Sequence, residues 1–236
     1  MRRSFLVIPL ALSILLGVGC KKAIPANQPS TTNTTPEANV FLPPPQTPET
    51  ENTRNLNELR AALLQFEQAK TFRAKLTLSI ASAVVTGQID VMKPDRFHGT
   101  MESQNASGQP DTSELVGVGD TLYIRMSKTQ WGYVKDPEKA KAYTQAFRSS
   151  VSSQGSLLTQ GLDDSLLVAK TRDGSLGCER YSTTIPSTST PATLEVCVAN
   201  GLPKRIVASS NGNTATVDYF DYNKLFVIER PIGFYK

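Results

Sequence analysis

The thiol and imidazole chemistry open to this 236-residue chain rests on three cysteines and a single histidine. Cys178 and Cys197 fall in two predicted strands, Gly177–Thr184 and Thr193–Ala199, joined by a Ser/Thr/Pro turn. Outside the cytoplasm such a pair points to a disulfide, which here would tie one hairpin. Metal ligation is the rival use, and His98, distant in sequence, gives it little support. Within Arg96–Glu102, His98 alternates with Phe97 and falls on the predicted solvent face. A hydrolytic triad would have to be built on that residue. Asp218 with Asp221, and Asp163 with Asp164, are the paired carboxylates available for acid/base work. They read more simply as strand-end charges and as charges favoured at a helix start. The chain has no Gly-x-Ser-x-Gly, no His-Glu-x-x-His, no phosphate-binding glycine loop and no Cys-x-x-Cys. No catalytic residue, no metal and no cofactor are expected, and the chain is read as a non-enzyme.

The third cysteine is placed differently. Arg2 and Arg3 precede the apolar run Phe5–Leu16, and Leu16-Gly17-Val18-Gly19-Cys20 closes it with small residues. The run is short for a membrane span. This segment resembles the lipobox of bacterial lipoproteins, with Gly17 where leucine is usual, and the resemblance implies cleavage after Gly19 and diacylation of Cys20. Two or more acyl chains supply the attachment that stable anchoring needs. The predicted order is a signal peptide over 1–19, a lipidated Pro/Thr-rich tether over 20–54, and one domain over 55–236.

Residues 21–50 hold seven of the fifteen prolines and few apolar side chains, too little to offset the entropy of ordering. Extended at ~3.1 Å per residue, such a tether reaches several nanometres from a bilayer. Lys21 and Lys22 each add about 1 kcal/mol of attraction to an anionic surface. The formal charge of +4 falls to +2 once Arg2 and Arg3 are removed. No clustered basic stripe is left for nucleic acid.

Asn55 can cap a helix whose apolar positions Leu56, Leu59, Leu63 and Phe66 recur at helical spacing. Phe72, Ala74, Leu76, Leu78 and Ile80 then alternate with polar residues, as do Val85, Gly87, Ile89 and Val91 up to Lys93-Pro94-Asp95. Short strands follow over 96–102, 113–118, 121–126 and 130–134. Helices are expected over 137–151 and, with Leu157, Leu158, Leu162, Leu166 and Leu167, over Leu157–Lys170. Strands resume with the cysteine hairpin, 203–209, 214–219 and 225–229, with Asn211-Gly212 as a hairpin turn. The fold class is α+β: a curved antiparallel half-barrel of about eleven strands, covered on its concave face by about three helices.

That element order resembles the bacterial lipoprotein-carrier superfamily of LolA/LolB and LppX/LprG-like proteins. The local likeness lies in Thr71–Leu76, in Gly87–Val91 running into Lys93–Phe97, in Gly119–Tyr123, in Gly201–Ile206 and in Val217–Asn223 with Val227–Pro231. The resemblance spans residues 55–231 and implies an unclosed half-barrel with an apolar cavity under helices. It implies a lipid or acylated-protein ligand, a monomer, and a lipid-anchored place in the cell envelope, at the outer membrane or on the outer face of the cell membrane. Lys93 stands where the chaperone of that superfamily carries an arginine bonded to its covering helices, so a lid contact is implied for it. Phe72, Leu76, Leu78, Ile80, Ile89, Val91, Phe97, Leu122, Ile124, Trp131, Leu162 and Leu166 are the expected cavity-lining residues. The competing reading keeps the fold but fills the cavity, as an envelope sensor or adaptor that binds another protein.

Overall fold

The computed structural model describes residues 50–80, 83–104, 109–126, 131–142, 144, 162–186 and 191–232. Cys20, Leu157, Leu158 and most of the predicted tether lie outside the described residues.

Helix α1 spans Glu51–Gln68. Its cap is Thr50, whose hydroxyl accepts from the Thr53 amide at 3.2 Å, with Glu51 at the positive end of the dipole. Asn55 is therefore not the cap, and the helix takes in four residues assigned by sequence to the tether. Asn55 is buried, and its amide donates to the Val168 carbonyl at 3.1 Å. Docking has claimed the side chain that local sequence would spend on capping.

Eleven strands follow: β1 Thr71–Ile80, β2 Ala83–Met92, β3 Arg96–Gln104, β4 Pro110–Val118, β5 Thr121–Met126, β6 Gly132–Tyr133, β7 Ala169–Asp173, β8 Cys178–Ile185, β9 Ala192–Ala199, β10 Leu202–Ser210 and β11 Asn213–Phe220. They form one antiparallel sheet in the order β6-β5-β4-β3-β2-β1-β11-β10-β9-β8-β7. The sheet curves and stays unclosed, because β6 and β7 are its two edges. Consecutive strands pair on each side of the break between β6 and β7, and the long-range step joins β1 to β11, with Leu76 opposite Val217. Asn200-Gly201 and Asn211-Gly212 both take positive φ in two-residue turns, the twist that hairpins favour.

The strand count agrees with the sequence reading, but two members differ. The leucine spacing predicts a helix over Leu157–Lys170, whereas its described part, from 162 on, makes a turn at 164–165 and then runs extended into β7. Asp163 starts a local turn instead, its carboxylate accepting from the Ser165 amide at 2.8 Å, an alternative that competes with helix formation. Leu166 and Val168 are then buried while Leu167 and Ala169 are exposed, the alternation of extended chain. Asn52 fixes this run by accepting from the Val168 amide at 2.8 Å and donating to the Leu166 carbonyl at 3.0 Å.

Residues 225–229 were expected to be a strand and are not. β11 is already paired on both sides, with β1 and β10, so the sheet has no edge there to accept another. The chain turns at Asp221 and Asn223, both at φ 55°, and crosses the outer face of the sheet. Phe226 and Ile228 pack there against Val116, Tyr123, Met92 and Val118, and Arg96 donates to the Ile228 carbonyl at 3.0 Å. Among the described residues there are two helices rather than about three. The second, α2, is described at 137–142 and 144.

Cys178 and Cys197 form the expected disulfide, with Cα atoms 5.6 Å apart, across the β8–β9 hairpin.

Candidate functional site: the concave face of the sheet

Residues directly opposite in an antiparallel ladder share a face, so the register defines the surface that α1 covers. One row runs Phe72, Val91, Phe97, Gly117, Leu122 across β1–β5. The next runs Ala74, Ile89, Gly99, Leu115, Ile124 across the same strands. On the other side of β1, Leu76 continues through Val217, Ile206, Val196 and Tyr181. All of these belong to the concave face.

The two halves of that face are packed unequally. Leu56, Leu59, Leu63 and Phe66 of α1 join Leu162, Leu166, Val168, Tyr181, Leu194, Val196, Ile206 and Tyr219 in one closed core. On β1–β5, Ile80, Ile89, Leu115, Ile124 and Met126 are only half-buried. Glycines let large side chains lie flat on this half. Phe97 lies over Gly117, whose missing Cβ is the space its ring occupies, and Met101 covers Gly87 in the same way. At Gly99 the nearest atoms stand 3.9 Å from where a Cβ would be, leaving ordinary contact distance and no clash.

Eleven of the twelve expected lining residues lie in the concave-side packing. Phe72, Val91, Leu162 and Leu166 belong to the core under α1, Ile89 packs against it, and Leu76 and Leu78 form a second cluster with Met101 and Ala215 that Ile80 abuts. Phe97, Leu122 and Ile124 lie on the β3–β5 rows. Trp131 does not join them. It packs on the outer face with the Val116–Tyr123–Ile228 cluster, and the Arg125 guanidinium stacks 4.8 Å from its ring. Sequence reading missed Leu115 and Met126, which counting back from the Gly119-Asp120 turn would have placed opposite Ile124 and Ser113.

Lys93 bonds to the covering helix. Its ammonium donates to the Glu67 carbonyl at 2.7 Å and to the Phe66 carbonyl at 3.4 Å, at the negative end of α1, and sits 5.4 Å from the Phe66 ring centre. Burial pushes this ammonium below the ordinary lysine range, opposed by the Glu67 carboxylate. Lys93→Met, which keeps the stem but removes the donor, is expected to cost about 1–2 kcal/mol in urea unfolding. Loss of helix protection in hydrogen exchange should be confined to the last turns of α1.

Near the middle of α1, Glu58 accepts from Lys170 and from the Tyr181 phenol, both at 2.7 Å. The Lys170 hydrogen bond, then that of Tyr181, holds the Glu58 carboxyl below its usual range. The carboxylates weighed as catalytic pairs are engaged elsewhere. Asp218 takes Arg205 at 2.5 and 3.0 Å, Asp221 takes Lys224 at 2.6 Å, and Asp164 takes Arg60 at 2.8 Å. His98 lies on the outer face against Glu114 at 2.8 Å.

Solved structures that match this arrangement include two mycobacterial proteins. LprF from Mycobacterium bovis superposes with a TM-score of 0.52 at 11% identity, covering 76% of this chain and 98% of that one. Lipoprotein LppX from Mycobacterium tuberculosis gives 0.51 at 13% identity, covering 76% and 100%. This chain has their fold. No protein-family model and no curated protein sequence matches it. The LppX-like fold has the curved, unclosed antiparallel sheet that the sequence resemblance implies.

Proposed function

We propose that this protein is an envelope lipoprotein, anchored through acyl groups on Cys20, that holds lipid or lipoprotein acyl chains against the concave face of β1–β5. The observation that carries this reading is the unequal packing of that face. One half is closed by α1, and on the other the apolar side chains of Ile80, Ile89, Leu115, Ile124 and Met126 are only half-buried. Each methylene withdrawn from water onto such a surface contributes about 0.8 kcal/mol. The arrangement asks nothing of catalysis, and the fold shared with lipoprotein LppX supports it. Tethering restricts the protein to reception, local transfer or sensing at one membrane.

A Cys20→Ser variant is expected to be released as soluble protein. Prepared without detergent, it should carry co-purifying amphiphiles detectable by native mass spectrometry. Placing a charge in the apolar half with Ile124→Glu should weaken a fluorescent fatty-acid probe at least tenfold, because an unpaired carboxylate would be desolvated beside the chain. Empty preparations that bind no probe would remove the lipid reading in favour of a protein-binding adaptor.

A further inference from the structure

The segment after β11 turns apolar side chains outward. Six large apolar residues stand exposed among the described residues, and three of them fall within one short stretch of chain: Leu225 at 100%, Val227 at 71% and Ile232 at 94%. Between them Phe226 and Ile228 pack inward, so the alternation of extended chain gives this strap a bound face and a bare one. The strap is pinned to the sheet. The Thr71 carbonyl accepts from the Asn223 amide at 2.9 Å, and the Thr71 hydroxyl donates to the Lys224 carbonyl at 2.8 Å. The Arg73 guanidinium lies 5.0 Å from the Phe226 ring centre, and Arg96 donates to the Ile228 carbonyl at 3.0 Å. Leu225 and Val227 are thus held in water by the fold itself, where their removal from water would be favourable.

We propose that this strap is a docking edge for the bilayer surface, into which Leu225, Val227 and Ile232 dip. The inference rests on the anchored reading above and deepens it. Three aliphatic side chains fall well short of the ~800 Å² per partner of a stable protein interface, so a freely diffusing protein has too little to hold. A membrane that the chain already keeps close needs far less, because tethering makes the second contact intramolecular. The reach is sufficient. Residues 20–49 span about 30 Å even as a flexible coil, against about 27 Å for the 18-residue α1 that lies between Thr50 and the strap end of the sheet. Charge does not drive the contact. Lys224 and Arg230 are offset by Asp221, 2.6 Å from the Lys224 ammonium, and by Glu229. What the two cations supply is a pair of long stems flanking the apolar side chains, with heads that reach the phosphate level.

The test uses residues 20–236 carrying Cys20→Ser, which keeps the tether and removes its acyl groups. The probe is a phosphatidylcholine vesicle, whose lack of net charge leaves Lys21 and Lys22 without a pull. Cosedimentation should give an association constant on the order of 10³ M⁻¹, weaker than the ~10⁴ M⁻¹ of a single myristoyl chain. Leu225→Ser combined with Val227→Ser should lower it at least about tenfold. The urea midpoint should not move, since both side chains are already in water. Brominated lipid should quench the indole introduced by Leu225→Trp and spare the one introduced by Thr193→Trp, at an exposed position on β9. Equal partitioning with and without the two serines, or no partitioning at millimolar lipid, would overturn the proposal. Self-association that the two serines abolish would also overturn it, since the strap would then be a contact between copies. The anchor is read separately, as acyl mass on Cys20 of the native chain, so a missing anchor and an inert strap give different results.

Discussion

Replacing Cys178 and Cys197 together by serine is expected to destabilise the protein by about 3 kcal/mol, read as a lowered urea midpoint with a slope equal to or steeper than the native one, because the unlinked unfolded chain is less compact. The bridge closes a loop of sequence separation 19, and the loop-entropy relation assigns a link of that length about this value. The effect should be spatially uneven. β7 is a five-residue edge strand paired only to β8, so loosening the β8–β9 hairpin exposes the β7 side first. Hydrogen exchange should accelerate in β7 and β8 while β1–β4 remain protected. A loss below about 1 kcal/mol would mean that the cross-strand ladder from Glu179 opposite Val198 to Ile185 opposite Ala192 holds the hairpin without covalent help.

The hairpins were legible in the sequence because their signals are local. Period-two alternation in Phe72–Ile80 and Val85–Val91, Gly119-Asp120 between β4 and β5, and Asn211-Gly212 between β10 and β11 place strands without reference to anything distant. Two errors share a physical origin. Residues 225–229 alternate like a strand, and in the structure Phe226 and Ile228 do point inward while Leu225 and Val227 face solvent. Whether such a segment joins a sheet depends on a free edge, which is a property of topology. Residues 162–170 carry leucines at helical spacing, but the Asp163 turn and the two asparagines of α1 hold the backbone extended. Those partners sit more than a hundred residues away. The same limit explains Trp131: as an aromatic near β5 it suited either face, and the C-terminal crossing built its pocket on the outer one. Composition located the concave face, while the division into a closed half and a half-buried half required the register.

Phe66→Ala is expected to have the largest effect of any single change, about 3–5 kcal/mol. Phe66 is wholly buried at the last turn of α1. Its ring meets Phe72 at 5.1 Å, Tyr219 at 5.0 Å and Tyr222 at 6.1 Å between centres, in tilted and edge-on geometries that add to area burial. Removing it deprives three rings of their common neighbour and loosens the helix end that Lys93 binds. Titration of the two tyrosines supplies a second readout. Burial raises the phenols of Tyr219 and Tyr222 above the ordinary tyrosine range, Tyr222 also through Tyr219, and the Tyr222 phenol donates to the Pro203 carbonyl at 2.6 Å. A group raised in the folded state contributes stability that is fully present below its unfolded value, about 10 for tyrosine, and lost as pH climbs past it. The native protein should therefore resist phenolate formation until it unfolds in alkali. In Phe66→Ala the two phenols should ionise closer to pH 10, seen as earlier absorbance at 295 nm. Unchanged phenol titration with a full loss of stability would mean that the ring holds α1 by packing alone and does not seal the aromatic cluster from water.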